Sequence, residues 1–107
     1  MAKRPRFTLV FAPQVAEHLD SVPRKHHGLL RRAIHEQLTH APTIATRNRK
    51  LLEQPAPFRA TWELRCGPDN RFRVFYDVDV TSRTVEVLAI GVKDRARLLI
   101  AGEEYQS

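Results

Sequence analysis

The sequence predicts an α+β fold, in which an antiparallel sheet carries an N-terminal helical hairpin on one face and ends in a short helix. Two segments with helical spacing follow a first short strand, and three strand-like segments follow the helices. No linker, repeat or low-complexity stretch interrupts the 107 residues, which are enough for one core. We therefore expect a single domain over residues 1–107, with the element order β-α-α-β-β-β-α.

The first third of the chain predicts one strand and two helices. Residues 6–11 (RFTLVF) are typical of a short strand, which Pro13 closes. The apolar positions that predict a first short helix are Val15, Leu19 and Val22. A second helix is predicted between Pro23, which suits a first turn, and Pro42, which ends it. Its apolar face consists of Leu30, Ile34 and Leu38.

The middle of the chain predicts a β-hairpin after an irregular segment at 43–57. Residues 58–66 and 71–78 alternate between apolar and polar side chains, which is typical of strands that bury one face. Matching the two apolar faces gives a register with residues 66–70 as the hairpin loop.

This register makes specific pairs. It places Leu64 opposite Phe72 and Trp62 opposite Val74. The same register puts Glu63 opposite Arg73, and Arg65 opposite Arg71.

The last third predicts a central strand and a terminal helix. Thr84–Val92 is apolar almost throughout, which indicates a strand that is covered on both faces. Asp94 can cap a short helix that runs to Ala101, with Gly102 as its stop.

The charge is basic and unevenly distributed. Eighteen Lys and Arg against twelve Asp and Glu give a formal net charge of +6. Residues 76–107 hold six acidic and four basic side chains, whereas residues 1–35 and 43–75 each hold seven basic ones. This asymmetry favours a polyanion such as nucleic acid as a partner. Arginine richness can also reflect the base composition of a genome, so charge alone does not decide the partner.

The polar face of the predicted hairpin is the candidate site. It carries Arg65, Arg71 and Arg73, whose guanidinium groups stay charged and present forks of donors that match phosphate oxygens. The alternative is that Glu63 pairs with Arg73 and the other arginines are solvated, as on many charged strand faces. The preceding loop adds three basic residues, Arg47, Arg49 and Lys50.

Several other kinds of site are excluded or disfavoured. Cys66 is the one cysteine, so no internal disulfide can form, which fits a reducing compartment. In HEQLTH at 35–40 the two histidines are five residues apart, so on a helix their rings point about 140° apart and cannot share one zinc ion. The remaining histidines are expected to be surface polar residues: His18, His26 and His27.

The sequence also lacks the motifs of several enzyme classes. It has no Gly-x-Ser-x-Gly motif and no glycine-rich phosphate loop. No apolar run approaches the about 20 residues of a membrane-spanning helix, and the basic opening leads into a strand rather than a signal peptide. We expect a cytoplasmic protein without a metal or other cofactor. Any catalysis would then rely on cationic side chains that stabilise a phosphodiester transition state.

The order of elements and the strand sequences FRVFYDVD and VEVLAIGVKDR resemble those of the RelE/ParE superfamily of bacterial toxins. The resemblance covers nearly the whole chain, and its most specific part is the aromatic-Arg-apolar-aromatic-Tyr strand followed by an apolar strand with Ile-Gly. It implies that the chain is the toxin of a type II toxin–antitoxin pair, wrapped by a helix and an extended segment of its antitoxin. RelE-like members cleave messenger RNA in the ribosomal decoding site, where the 2′-hydroxyl attacks the adjacent phosphate.

The resemblance also implies site residues. Basic residues and a tyrosine line the family's site, and Arg73 falls on its strand arginine. Arg95 falls on the arginine that follows the last strand. Two lysines often found on the second strand correspond here to Thr61 and Glu63.

The family's tyrosine has no direct counterpart. The position expected on the last helix corresponds to about Ala101, and Tyr105 follows only later, so no general base is identified. The candidate catalytic residues are Arg65, Arg73 and Arg95. The candidate RNA-binding residues are Arg47, Arg49, Lys50, Arg71, Lys93 and Arg97.

Three functions stay open on these grounds. The first is a ribosome-dependent messenger-RNA endonuclease that inhibits translation. The second is a non-enzymatic inhibitor of DNA gyrase, as in the ParE branch, where the same fold binds a protein. The third is a non-toxic homologue that acts only with its antitoxin on operator DNA.

Overall fold

A computed structural model describes residues 6–106, and within them the chain forms two α-helices and seven strands. The helices are α1 (Val15–Asp20) and α2 (His27–Leu38). The strands are β1 (Thr8–Phe11), β2 (Arg49–Leu51), β3 (Trp62–Cys66), β4 (Phe72–Asp79), β5 (Thr84–Asp94), β6 (Arg97–Ile100) and β7 (Glu103–Glu104). Neither helix is both long and apolar enough to cross a membrane.

All seven strands belong to one sheet, and β5 is its central strand. The order across the sheet is β2-β3-β4-β5-β6-β7, and β1 lies beside the first half of β5. Thr8 pairs with Thr84 in parallel, whereas Gly91 pairs with Ile100 in an antiparallel ladder. β5 therefore has neighbours on both edges, which confirms the predicted central position of this apolar strand.

The helices pack on one face of the sheet and enclose the main core, as expected. Leu30, Ile34 and Leu38 of α2 are buried, in agreement with their spacing. A single 3₁₀ turn at Arg24–His26 precedes α2, so the α-helix itself begins later than Pro23 suggests. The sheet contributes Trp62, Leu64, Cys66, Phe72, Val74, Tyr76, Val85, Val87 and Ile90 to this core.

Tyr76 connects this core to the segment before β2. It is completely buried, and its hydroxyl donates a hydrogen bond of 2.7 Å to the carbonyl of Pro42. Its ring stacks on Trp62 with a centroid distance of 6.2 Å and an interplanar angle of 16°. Burial raises the pKa of the phenol and nearby Arg49 offsets part of that rise, so Tyr76 stays neutral at ordinary pH.

The predicted C-terminal helix over residues 94–101 is wrong. The chain instead turns at Arg95, whose φ is 56°, and returns along β5 as β6. Ala101 and Gly102 have φ values of 55° and 79° and form a second two-residue turn, as in type I′ hairpins. A helix here would leave the backbone donors and acceptors along the second half of β5 without partners, so pairing prevails.

The β3–β4 hairpin forms, but the predicted register is wrong by two residues. Leu64 lies opposite Val74, and Arg65 lies opposite Arg73. Because the side-chain period along a strand is two, this shift leaves the side chains within β3 and β4 on their predicted faces. The apolar pattern therefore fixes the faces and cannot distinguish the two registers.

The loop at 67–71 contains the physical reason for the observed register. Cys66 pairs with Phe72, and the ring of Phe72 packs directly over Gly67. A Cβ atom at Gly67 would lie 2.3 Å from this ring, and the backbone there has a φ of 81°. Only glycine meets both requirements without strain.

The segment at 43–57 is not wholly irregular, because Arg49–Leu51 form the edge strand β2. The strand predicted from residue 58 begins only at Trp62, after a 3₁₀ turn at Pro57–Arg59 in which two residues have positive φ. Ala60 consequently packs in a different apolar cluster from Trp62. The alternation holds within β3 and fails before it.

Candidate functional site

The sheet face opposite the helices, which we call the open face, carries a pair of arginines. Arg65 on β3 lies directly opposite Arg73 on β4, and Arg73 lies opposite Gly91 on β5. Directly opposed side chains on antiparallel strands have Cβ atoms about 5 Å apart. The sheet therefore holds two guanidinium groups side by side on a rigid scaffold.

Glu63 binds both arginines. Its Oε1 atom accepts a hydrogen bond of 2.8 Å from Arg65 Nε and lies 3.6 Å from Arg73 Nη1. The predicted alternative, a Glu63–Arg73 pair, is therefore present, although Glu63 lies opposite Phe75 and its closer partner is Arg65. The cluster combines two positive charges and one negative charge. Because each guanidinium has five N–H donors, most of them stay free for a phosphate.

Three further polar side chains share the open face. Lys50 lies opposite Glu63 across the β2–β3 pair, and Lys93 lies opposite Leu98 across the β5–β6 pair. The backbone N–H of Tyr105 donates a hydrogen bond of 2.8 Å to the carbonyl of Leu98, which places Tyr105 on the same face. A tyrosine thus reaches this face from the C-terminal strand although the expected helix is absent.

Part of the open face is covered by residues 52–60 and by the C-terminal strands. They enclose a small apolar cluster made of Ala60, Phe75, Ala89 and Ile100, against which Leu52, Leu98 and Tyr105 pack. The side chain of Arg65 is 33% exposed and that of Arg73 is 14% exposed. Arg65 is therefore partly accessible beside the covered part, whereas most of the Arg73 side chain is buried.

Arg49 has a structural position that does not suit RNA binding. It is buried, and its Nε donates a hydrogen bond of 2.9 Å to the carbonyl of Ile44. Its Nη1 donates to the carbonyl and to the side-chain oxygen of Gln37 on α2. These bonds tie the loop to the helix, so we do not include Arg49 in the candidate interface. The neighbouring Arg47 and Lys50 are exposed.

The remaining candidates are not grouped with the arginine pair. Arg95 lies in the β5–β6 turn, four residues or about 13 Å along the strand from Gly91. Arg97 makes an exposed ion pair of 3.0 Å with Asp94. Arg71 lines a pocket on the helix side of the sheet rather than the open face. Of the three candidate catalytic residues, the structure therefore brings Arg65 and Arg73 together and leaves Arg95 apart from them.

His18 was expected at the surface, and this expectation is wrong. β1 pairs with the first half of β5 and β6 with its end, so the middle of β5 has no strand on that edge. Two side chains of the α1 segment replace the missing strand. Gln14 Nε2 donates a hydrogen bond of 2.9 Å to the carbonyl of Leu88, and the N–H of Ile90 donates one of 3.2 Å to His18 Nδ1. His18 is only 4% exposed.

The sequence did contain a signal for this position. His18 is three residues after Val15 and four before Val22, which puts it on the apolar stripe of α1. Burial lowers the pKa of His18, and the nearby Glu17 partly opposes that shift. The ring is consequently neutral, with Nδ1 as an acceptor and the proton on Nε2.

The depressed pKa of His18 predicts a pH dependence of stability. In the unfolded chain His18 takes up a proton near pH 6.5, whereas in the folded chain its pKa is lower. The free energy of unfolding should therefore have its highest value above about pH 6.5 and decrease as the pH falls below it. Urea unfolding between about pH 5 and pH 8 should show this decrease. We expect a smaller decrease in His18→Gln and an unchanged one in His40→Gln, a surface control. Equal slopes in His18→Gln and the parent chain would contradict the assignment.

Two other kinds of chemistry find no support among residues 6–106. Cys66 is buried, and this burial raises the pKa of its thiol to about 11, so the thiolate is scarce at neutral pH. No group of three or more His, Cys, Asp and Glu side chains is placed to hold a metal ion in this range.

Comparison with known proteins establishes the class of fold. No protein-family model matches the chain, and no curated protein is significantly similar to it in sequence. Among solved structures, the chain is similar to a chain of the toxin–antitoxin complex RelBE2 from Mycobacterium tuberculosis, with a TM-score of 0.69 and 20% identity. The match covers 87% of this chain and 98% of that one. The expected α+β class of the RelE-like fold is confirmed, although the predicted element order is not, and at this identity the likeness extends to the fold alone.

Proposed function

We propose that this chain is the toxin of a toxin–antitoxin pair and that it stops translation by cutting messenger RNA in the ribosome. The observation that carries the proposal is the Arg65–Arg73 pair, held in register by two strands and by Glu63 on the open face. The structural neighbour comes from a toxin–antitoxin complex, which supports an antitoxin as the partner of this chain.

The geometry suits stabilisation of a phosphodiester transition state. When a 2′-hydroxyl attacks the adjacent phosphate, negative charge grows on the phosphate oxygens. Fixed guanidinium donors that need no rearrangement stabilise this charge strongly in a partly dehydrated site. Arg73 is already oriented by a hydrogen bond of 2.9 Å from its Nε to the carbonyl of Asn70. Arg65 is oriented in the same way by Glu63.

The reaction also needs groups that exchange protons, and arginine cannot serve as a base at ordinary pH. Glu63 is the carboxylate between the two arginines, and Tyr105 provides a phenol on the same face. We assign Glu63 as the acceptor of the 2′-hydroxyl proton. As the 2′-oxygen bonds to phosphorus, the P–O5′ bond breaks and the leaving 5′-oxygen takes up a proton from water. Lys50 and Lys93 bind the RNA backbone on either side.

A second candidate function is binding to DNA gyrase without any cleavage. The observation that favours it is the partial neutralisation of the arginine pair by Glu63, together with the apolar cover over part of the open face. In that case the open face would contact a protein, and single arginine substitutions would matter little.

The first test is to induce the chain alone in a bacterium and to follow labelled methionine and labelled thymidine side by side. We expect methionine incorporation to stop promptly while thymidine incorporation persists, because the proposed target is the translated messenger. An early loss of thymidine incorporation would contradict the proposal and favour gyrase. No change in either label would favour a homologue that acts only with its antitoxin on operator DNA.

A further inference from the structure

A second polar site lies on the helix side of the sheet, away from the open face. It is a pocket of about 230 Å³ between the end of α1, the start of β4 and the β6–β7 turn. We call it the helix-side pocket. Its polar lining residues are His18, Ser21, His26 and Arg71, and its walls are apolar side chains that include Phe72 and Leu99.

A buried histidine, His18, is one of the residues that line this pocket. His18 Nδ1 already accepts the N–H of Ile90, so the proton of the neutral ring is on Nε2. Among residues 6–106, the hydrogen bond found for the His18 ring is the one that Nδ1 accepts from Ile90. No fully buried side-chain nitrogen or oxygen in this range lacks a hydrogen-bond partner. The Nε2–H group is therefore not fully enclosed, and His18 lines both the helix-side pocket and a neighbouring pocket formed with Phe58 and Tyr105.

Arg71 supplies the charge. Its carbonyl accepts a hydrogen bond of 2.7 Å from the N–H of Lys93, which fixes the backbone at the mouth of the pocket. Arg65, Arg73 and Arg97 each have a carboxylate within ion-pair distance, whereas no such partner is found for Arg71 among residues 6–106. Its guanidinium is exposed and free to bind an anion.

The other lining residues agree with an anionic ligand. The ring of His26 packs on Phe72 with a centroid distance of 5.0 Å, and the hydroxyl of Ser21 adds another donor. No Asp or Glu lines the pocket, so it offers no carboxylate that would repel an anion. The volume is below the range for drug-sized ligands and suits a phosphate group with a few attached atoms. Apolar walls strengthen the attraction between a guanidinium and a phosphate.

We propose that the helix-side pocket binds a phosphate group, with Arg71 as the ionic partner and His18, His26 and Ser21 as further hydrogen-bond donors. The phosphate belongs either to an RNA strand or to a free nucleotide, since both offer the same oxygens. This inference is independent of the proposed nuclease, because the two sites lie on opposite faces of the sheet.

The test is a titration of the folded chain with inorganic phosphate at about pH 7.5, followed by amide chemical shifts in NMR. We expect saturable shifts at residues around the pocket with a dissociation constant in the about millimolar range. Arg71→Gln should weaken binding at least tenfold, and Arg71→Lys should recover only part of it, because lysine keeps the charge and loses the fork. Arg32→Gln on the exposed face of α2 is the matched control and should bind like the parent chain.

Two further ligands distinguish the sources of the phosphate. Adenosine monophosphate and a short single-stranded RNA without a terminal phosphate are titrated in the same way. If adenosine monophosphate binds the pocket more tightly than the RNA does, the natural ligand is a free nucleotide. If the RNA binds there more tightly, the natural ligand is an RNA strand. The proposal is overturned if none of the three ligands gives saturable shifts at the pocket, or if Arg73→Gln abolishes the phosphate shifts while Arg71→Gln does not.

Discussion

Replacing Arg73 with alanine is expected to remove most of the growth inhibition that we propose for the chain when it is expressed alone. Arg73 is one of the two guanidinium groups on the open face, and its loss removes fixed donors from the place where phosphate charge develops. Removal of one such donor slows enzymes by about 10²–10³-fold. We expect a loss of that size in the rate of messenger-RNA cleavage on purified ribosomes.

The fold should survive this substitution. The side chain of Arg73 lies outside both apolar clusters, and its hydrogen bond to the carbonyl of Asn70 is worth about 1 kcal/mol. Its ion pair with Glu63 would also be lost, but Glu63 keeps Arg65 as a closer partner. Thermal unfolding of the variant verifies this point, and Arg32→Ala on α2 provides a control of equal charge change. Full toxicity of Arg73→Ala with a normal melting curve would refute the nuclease and leave gyrase binding as the better account.

The largest effect on stability is expected at Tyr76. Tyr76→Ala should lower the free energy of unfolding by about 4 kcal/mol, since truncation of a buried aromatic side chain removes its contacts and leaves a cavity. Trp62 would lose its stacking partner and the carbonyl of Pro42 its hydrogen bond. The measurement is urea unfolding followed by tryptophan fluorescence.

Tyr76→Phe separates the two contributions of this side chain. It keeps the ring and removes only the hydroxyl, so the expected loss is about 1–2 kcal/mol, the cost of an unpaired buried carbonyl. If both variants unfold at the urea concentration of the parent chain, then the segment before β2 is not anchored by Tyr76. We expect Tyr76→Ala to weaken the whole edge of the sheet, because the anchored segment leads directly into β2.

The sequence predicted correctly which face of the sheet most strand side chains occupy, but it did not predict which residues lie opposite each other on neighbouring strands. Alternation put Arg65, Arg73 and Glu63 on the polar face, where they are found, because strand periodicity is a local property. The opposed pairs were wrong because a shift of two residues changes no face. The deciding interaction is the packing of Phe72 over Gly67, which no alternation pattern reveals.

Long-range pairing explains the other errors. Residues 97–100 contain a short apolar run that fits a helix or a strand equally well, and the vacant edge of β5 decides for a strand. Lys50 and Arg49 are adjacent in the sequence, yet the first is exposed and the second is buried against α2. His18 became a core residue because the sheet has a gap there, which depends on where two distant strands end. Such features are properties of the assembled sheet and not of any local segment.

The parallel pairing of β1 with β5 has a consequence for the order in which the chain acquires its shape during synthesis. β1 is synthesised before its partner Thr84–Val87, and two helices and three strands lie between them along the chain. Until that partner is synthesised the nascent chain cannot close its sheet, because contacts between distant segments form late and slowly.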